Sequence, residues 1–164
     1  MTEETMSELA FIGLGSNMGD PAENLRSAIK RIDCSTDINV ISNSSFYRST
    51  PVGITDQPDF VNAVCKVSSS VGPESLLKIL LSIEVDFGRV RSVRNGPRIL
   101  DLDILLFGDI RYSSCDVVIP HPRMFDRAFV LKPLLEIAPD LLERKSFNSA
   151  FSKDLLQDDS ASKI

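Results

Sequence analysis

Residues 96–109, "GPRILDLDILLFGD", restrict the fold more than any other stretch: an almost unbroken aliphatic run suited to a buried strand carries Asp101 and Asp103 at its centre. Successive strand side chains point to opposite faces, so Leu100, Leu102 and Ile104 share one face and Ile99, Asp101, Asp103 and Leu105 the other. The two acid stems then lie roughly 6.5 Å apart, and at an effective dielectric of ~20 they repel by on the order of 2–3 kcal/mol before desolvation is counted. Folding alone gives no reason for such a pair unless a positive group sits between the acids.

The flanking sequence supplies the other layers. "LAFIGL" (9–14) reads as a buried strand and "GSNMGD" as a turn. Asp20, Pro21 and Glu23 then form a helix start, with N-cap, N1 and N3 residues in place, for a helix running to about Ile32 with Leu25, Ala28, Ile29 and Ile32 inward. Strands are expected at about 38–48 and 60–68, separated by the turn-rich "STPVGITDQPD". Pro73 and Glu74 open a second helix that Gly88 ends, with Leu76, Leu77, Leu80, Leu81 and Ile83 as a broad apolar stripe. After the aspartate strand, Gly108-Asp109 should turn the chain into a short partner strand around 110–112. The order β-α-β-β-α-β predicts an α+β, ferredoxin-like core: a mainly antiparallel sheet with helices on one face. One domain is expected over 8–145, with a flexible extension at 1–7. The tail at 146–164 is expected to form a short helix through Phe147, Phe151 and Leu155 and to fray from about Asp158.

A net charge of −5 argues against a general nucleic-acid binder or an acidic-membrane binder, so any basic site must be local. Cys34, Cys65 and Cys115 are odd in number and widely spaced, which fits neither a disulfide framework nor a zinc site and suits a reducing cytoplasm. "MTEETMSELAFIGLG" has acids where a secretory signal needs bases, and no stretch reads as a membrane span.

Locally basic chemistry stands just before the acids. "GRVRSVRNGPR" (88–98) holds Arg89, Arg91, Arg94 and Arg98 with no acid among them. Alone, such a run reads as a solvated loop. Beside two strand carboxylates it fits a polyphosphate, because Mg²⁺ is held by one or two carboxylates plus phosphate oxygens while guanidinium forks neutralise the rest. Asp101 and Asp103 are therefore expected to hold one or two Mg²⁺, two being the number adopted; the alternative is a pair satisfied by arginines, Arg98 foremost. His121, the only histidine, lies between Pro120 and Pro122 with Arg123 and Arg127 close by, and reads as a hydrogen-bond donor in a second cationic wall. Gly13, Gly15 and Gly19 miss the dinucleotide spacing and read as points of close backbone or ligand approach.

Four successive blocks, "GLGSNMGD", "DQPDFVNAV", "RNGPRILDLDILLFGD" and "PHPRMFDRAFVLKPLLEIAPDL", resemble the signatures of the 6-hydroxymethyl-7,8-dihydropterin pyrophosphokinases of folate synthesis, over about Leu9 to Leu142. The resemblance implies a ferredoxin-like fold and transfer of pyrophosphate from ATP to the pterin hydroxymethyl group with release of AMP. It implies magnesium ligation by Asp101 and Asp103, and triphosphate contacts and catalysis by Arg89, Arg91 and Arg98. Nucleotide contacts fall to Glu84, Ile104, His121 and Arg127. It places the pterin between Phe60 and Phe129, with Asn62 and groups around Ser49, Thr50 and Val52 reading its polar edge; from the residues alone, the two phenylalanines would read as core. Gly13, Ser16 and Asn17 belong to a block near that pocket with no direct contact assigned. The relatives suggest a monomer.

The sequence departs from some relatives at Asn95, Phe60, Ser49-Thr50, Asp116 and Val118, which bears on affinity rather than chemistry. Two other functions fit the same fold. An RNA-recognition domain would need the aromatic signature that is missing here, and a gel shift tests it. An inactive pterin binder is separated by measuring AMP release.

Overall fold

The computed structural model describes residues 7–51, 53–88 and 97–164. Arg89, Arg91, Arg94, Asn95, Val52 and the extension before Ser7 lie outside the described residues. The core elements follow the expected order: β1 (Glu8–Ser16), α1 (Pro21–Asp33), β2 (Ile38–Asn43), β3 (Tyr47–Ser49), β4 (Phe60–Ser69), α2 (Pro73–Asp86) and β5 (Asp101–Phe107). β1 lies between β5 and β4, and β4 carries β2 and β3 on its far side, all antiparallel. This is the ferredoxin-like sheet.

Local chemistry accounts for the element ends. The Asp20 carboxylate accepts from the Glu23 N–H at 3.2 Å, with Pro21 at the first helical position. Gly88, at φ +81°, closes α2. The strand expected at 38–48 is two strands because Ser44 interrupts the ladder: its N–H donates to the Val64 carbonyl at 2.8 Å, while its hydroxyl, in place of a carbonyl, accepts from the Val64 N–H at 2.9 Å.

Two apolar layers flank the sheet. Ile12, Leu14, Cys65, Val67, Leu102 and Ile104 pack with Leu25, Ala28 and Ile32 of α1 and Leu76, Leu80 and Ile83 of α2. On the opposite face Phe11, Val64, Leu105 and Leu106 pack with Met124 and with Val130, Leu131 and Leu134 of a third helix, α3 (Ala128–Ile137). The expectation of helices on one face is thus corrected. An apolar α3 can only be buried against the second face, and a β-bulge in β5 turns both Leu105 and Leu106 toward it: Phe11 pairs with Leu106 and Ile12 with Ile104, leaving Leu105 as the extra residue.

Two further expectations change. No partner strand for β5 follows at 110–112; instead β6 (Tyr112–Ser113) pairs with β7 (Val118–Ile119) in a separate hairpin. Nor does the tail form one helix and fray. It makes helical turns at α4 (Lys145–Asn148) and Lys153–Gln157, then returns as β8 (Ala161–Lys163) to pair with β3. Phe147 and Phe151 pack edge to face at 5.7 Å and cover α3, so their spacing reports burial rather than one continuous helix. No helix among the described residues is long and apolar enough to cross a membrane.

Candidate active site

β1 alternates, and the face it shares with α3 runs Phe11, Gly13, Gly15. Phe11 is packed under α3, but the two glycines present no side chain, so the sheet surface is low where they stand, with the Leu105 side chain against Gly13 and Asn62 and Phe60 beside Gly15. Register gives that glycine lane its walls. Asp103 lies opposite Gly13 and Asp101 opposite Gly15 on one side; Val64 and Asn62 face the same glycines on the other. With strands about 4.8 Å apart, the aspartates and Asn62 stand roughly 9.5 Å from each other across the lane. A Cβ on Gly15 would come within 3.2 Å of Asn62 Oδ1, a crowded contact that the glycine avoids.

A cavity of about 700 Å³ covers this lane. One end is walled by Ser49, Thr50, Phe60, Asn62 and Phe129, and the other by Arg98, Asp101, Asp103, His121, Arg123 and Arg127. Because β5 is the outermost strand here, the cavity continues past its edge to the flank of α2, where Glu74, Leu77, Lys78, Leu81 and Glu84 line it, with Asp116 from the β6–β7 hairpin. Tyr112 fixes that hairpin to α2 by donating its hydroxyl to Glu74 at 2.9 Å.

Asn17 joins the two ends. Its amide nitrogen donates to Gln57 Oε1 at 2.9 Å and to the Pro58 carbonyl at 3.0 Å, just before β4, while its Oδ1 accepts from the Arg98 N–H at 2.8 Å. Its own N–H donates to the Arg98 carbonyl at 3.0 Å. Arg98 thus starts β5 from a fixed position, and its guanidinium reaches Asp101 at 3.1 Å, both side chains being 26% exposed. The arginine partner considered from the sequence is therefore present for Asp101.

His121 is held by three bonds. Its N–H donates to the carbonyl of the bulge residue Leu105 at 2.9 Å, its carbonyl accepts from Met124 at 3.3 Å, and its Nδ1 accepts from the Arg123 N–H at 3.1 Å. The last bond puts the imidazole proton on Nε2. Burial, with Arg127 and Arg123 nearby, lowers its pKa to about 4 against the smaller pull of Asp101, so the ring is neutral at pH 7 and donates from Nε2. Burial also lowers Arg127, countered by the charges of Asp103 and Asp101, and its guanidinium lies 5.5 Å from the Phe129 ring centre.

At the other end the Asn62 amide donates to Ser49 Oγ at 2.6 Å, and both residues are buried. Thr50 lines the cavity, and its N–H is taken by the Ser160 carbonyl at 3.1 Å.

Of the residues singled out from the sequence, Ser49, Thr50, Phe60, Asn62, Glu84, Arg98, Asp101, Asp103, His121, Arg127 and Phe129 all line this one cavity. Ile104 does not: its side chain is 3% exposed in the layer against α1 and α2, so only its backbone is left for a nucleotide contact. Ser16 and Asn17 stand behind the wall, and Val118 is exposed away from it. Glu74, Leu77, Lys78 and Leu81 were not anticipated as lining residues. Their 3–4 spacing with Glu84 was the available signal, a second stripe beside the core stripe of α2.

Comparison with known proteins points the same way. The family model for 7,8-dihydro-6-hydroxymethylpterin-pyrophosphokinase (HPPK) matches residues 11–139. The 2-amino-4-hydroxy-6-hydroxymethyldihydropteridine pyrophosphokinase of Haemophilus influenzae is 47% identical over 133 residues, 81% of this chain and 83% of that protein. The folic acid synthesis protein of Schizosaccharomyces pombe is 39% identical over 85% of this chain, which spans only 19% of that longer protein. Among solved structures, Plasmodium falciparum HPPK-DHPS with pteroate superposes with a TM-score of 0.64 at 15% identity, covering 83% of this chain and 40% of that one, a likeness that speaks for the fold alone. With the family matched across the sheet, the cavity and α3, this chain belongs to the 7,8-dihydro-6-hydroxymethylpterin-pyrophosphokinase family.

Proposed function

We propose that the cavity binds 6-hydroxymethyl-7,8-dihydropterin between Phe60 and Phe129, and ATP with magnesium at the Asp101, Asp103 and Arg127 end. The family's reaction, pyrophosphate transfer to the pterin hydroxymethyl group in folate synthesis, would then run across the glycine lane. The observation that carries this reading is the register that sets Asp101, Gly15 and Asn62 in one row under a single cavity. A flat heterocycle suits two aromatic walls and an amide that both donates and accepts. A triphosphate suits the arginines and the Nε2–H of His121.

The donor set fits magnesium. Asp101 and Asp103 are hard oxygen ligands side by side on one strand face, and among the described residues no third His, Cys, Asp or Glu completes a protein cage with them. Magnesium prefers such a site, with phosphate oxygens and water filling its shell. When bound, the metal supplies charge neutralisation and acidifies a nearby hydroxyl.

The protein's own part is positioning and charge. Phe60, Phe129 and Asn62 aim the pterin hydroxymethyl group down the lane; its oxygen attacks the β-phosphorus in line, the bond from that phosphorus to the α-phosphate oxygen breaks, AMP leaves, and the hydroxyl proton passes to water. Arg98 and Arg127 stabilise charge developing on the transferred group, and His121 donates without abstracting a proton. Arg89 and Arg91 are proposed to join them from the 88–98 segment, and Val52 and the Ile104 backbone to add contacts at the two ends. The setting proposed is a reducing cytoplasm, supported by three free cysteines, of which Cys65 is buried and its thiol pushed up to about 12; the chain is proposed to act as a monomer, as the family resemblance suggests.

Calorimetry with a non-hydrolysable ATP analogue and magnesium, with and without the pterin, together with AMP release, tests the reading. Metal-dependent nucleotide binding and pterin-dependent AMP release are expected. Nucleotide binding that ignores magnesium, or AMP release without pterin, refutes it.

A further inference from the structure

Residues 140–164 follow the family-matched segment, yet the last of them build onto the sheet at the cavity's pterin end. β3 has only three residues, and such a short strand is weakly held by its ladder to β4 alone. β8 covers its outer edge, setting Ala161 opposite Ser49 and Lys163 opposite Tyr47. The Thr50 N–H donates to the Ser160 carbonyl at 3.1 Å, and the Ile164 N–H to the Phe46 carbonyl at 3.0 Å. From α3, Lys132 Nζ donates to the carbonyls of Asp158 and Ala161, the second at 2.5 Å, and so clamps the turn that delivers β8. Asp158 steadies that turn by accepting from the Ser160 N–H at 2.9 Å. Ser49, on the strand so enclosed, is the residue whose hydroxyl receives the Asn62 amide.

We propose that β8, held down by Lys132, is a positioning element of the pterin site: it fixes β3 and through it the Ser49–Asn62 pair, so docking of the tail and binding of pterin favour each other. The proposal rests on the placement of the pterin argued above. Linkage makes the effect reciprocal: whatever factor the docked tail adds to pterin affinity, bound pterin adds to docking of the tail.

Lys132→Met keeps the stem and removes the ammonium. In the full chain it is expected to weaken binding of 6-hydroxymethylpterin, read by the pterin's own fluorescence, by roughly five-fold or more, to leave affinity for an ATP analogue unchanged, and to speed amide exchange at Ile164. Lys132→Arg is expected to recover part of the loss. In the wild-type protein, saturating pterin is expected to slow exchange at Ile164, which lies outside the cavity wall, and this measurement stands even where Lys132→Met fails to fold. Faster exchange at Ile164 with pterin affinity intact overturns the proposal, as does wild-type exchange at Ile164 that ignores pterin. Asn62→Ala tests the placement separately: if it leaves pterin affinity unchanged, the placement falls and the proposal with it, whereas loss with Asn62→Ala but not with Lys132→Met sinks the positioning role alone.

Discussion

Asn17→Ala should loosen both ends of the cavity at once. The side chain is 2% exposed and makes three hydrogen bonds, two donated to the segment before β4 and one accepted from the Arg98 N–H. At a net value of about 1 kcal/mol each, their loss costs about 3 kcal/mol, and the part-buried Arg98 N–H left without its acceptor adds on the order of 1 kcal/mol. A total near 4 kcal/mol is a large share of the roughly 5–15 kcal/mol that holds a domain together. Urea unfolding measures it, as a lower midpoint at unchanged slope. Kinetics should register the same bracket, with KM rising for pterin and for ATP and turnover falling as Arg98 loses its fixed backbone. A cost below about 1 kcal/mol would show that these bonds are exchanged for water at little loss; with a change confined to one substrate, it would refute the bracket argument.

Asp101→Asn with Asp103→Asn should abolish the magnesium dependence of nucleotide binding and lower turnover on the order of 100-fold or more, since metal-assisted charge stabilisation is worth several kcal/mol; a double variant that still binds nucleotide in a magnesium-dependent way would assign the acids to pairing with the arginines, Arg98 foremost. Because the folded pKa of His121 is depressed to about 4 from the ordinary 6.5, the unfolded chain takes up that proton first as pH falls, so this residue's share of stability is present above about pH 6.5 and lost on the way down to about 4. Allowing for its partial exposure, the loss is roughly 2 kcal/mol, and His121→Gln should flatten the slope between urea midpoints at those two pH values by that amount. Gly15→Ala brings a Cβ to 3.2 Å from Asn62 Oδ1. At about 1–3 kcal/mol for overpacking, pterin binding should weaken about ten-fold while ATP-analogue binding holds; equal loss for both would place Gly15 outside the pterin end.

Much of the frame was legible because it is local. The Asp20 cap, the α1 and α2 stripes and the period-two face of β5 each depend on residues a few positions apart, and all appear in the fold. The same period placed Asp101 and Asp103 on one face, and the four blocks named most of the cavity wall. Misreadings occur where a distant partner intervenes. Ser44 exchanges ladder bonds with Val64 and splits one expected strand in two. For Ile104 the local period was the better guide: alternation set it on the face opposite the acids, where it is buried, although the family resemblance assigned it a nucleotide contact. The C-terminal residues look frayed because β8 has no stabilising pattern of its own and borrows order from Lys132 and β3.

The sequence by itself determined where β1, α1, α2 and β5 would form, and that one face of β5 would be acidic, because backbone sterics, caps and side-chain period act within a turn or two. Only the tertiary structure decided that Gly15 would lie between Asp101 and Asn62, that α3 would cover the second face, and that the tail would enclose Ser49. Those are pairings between segments tens of residues apart, and their energies come from register and packing that no local window contains.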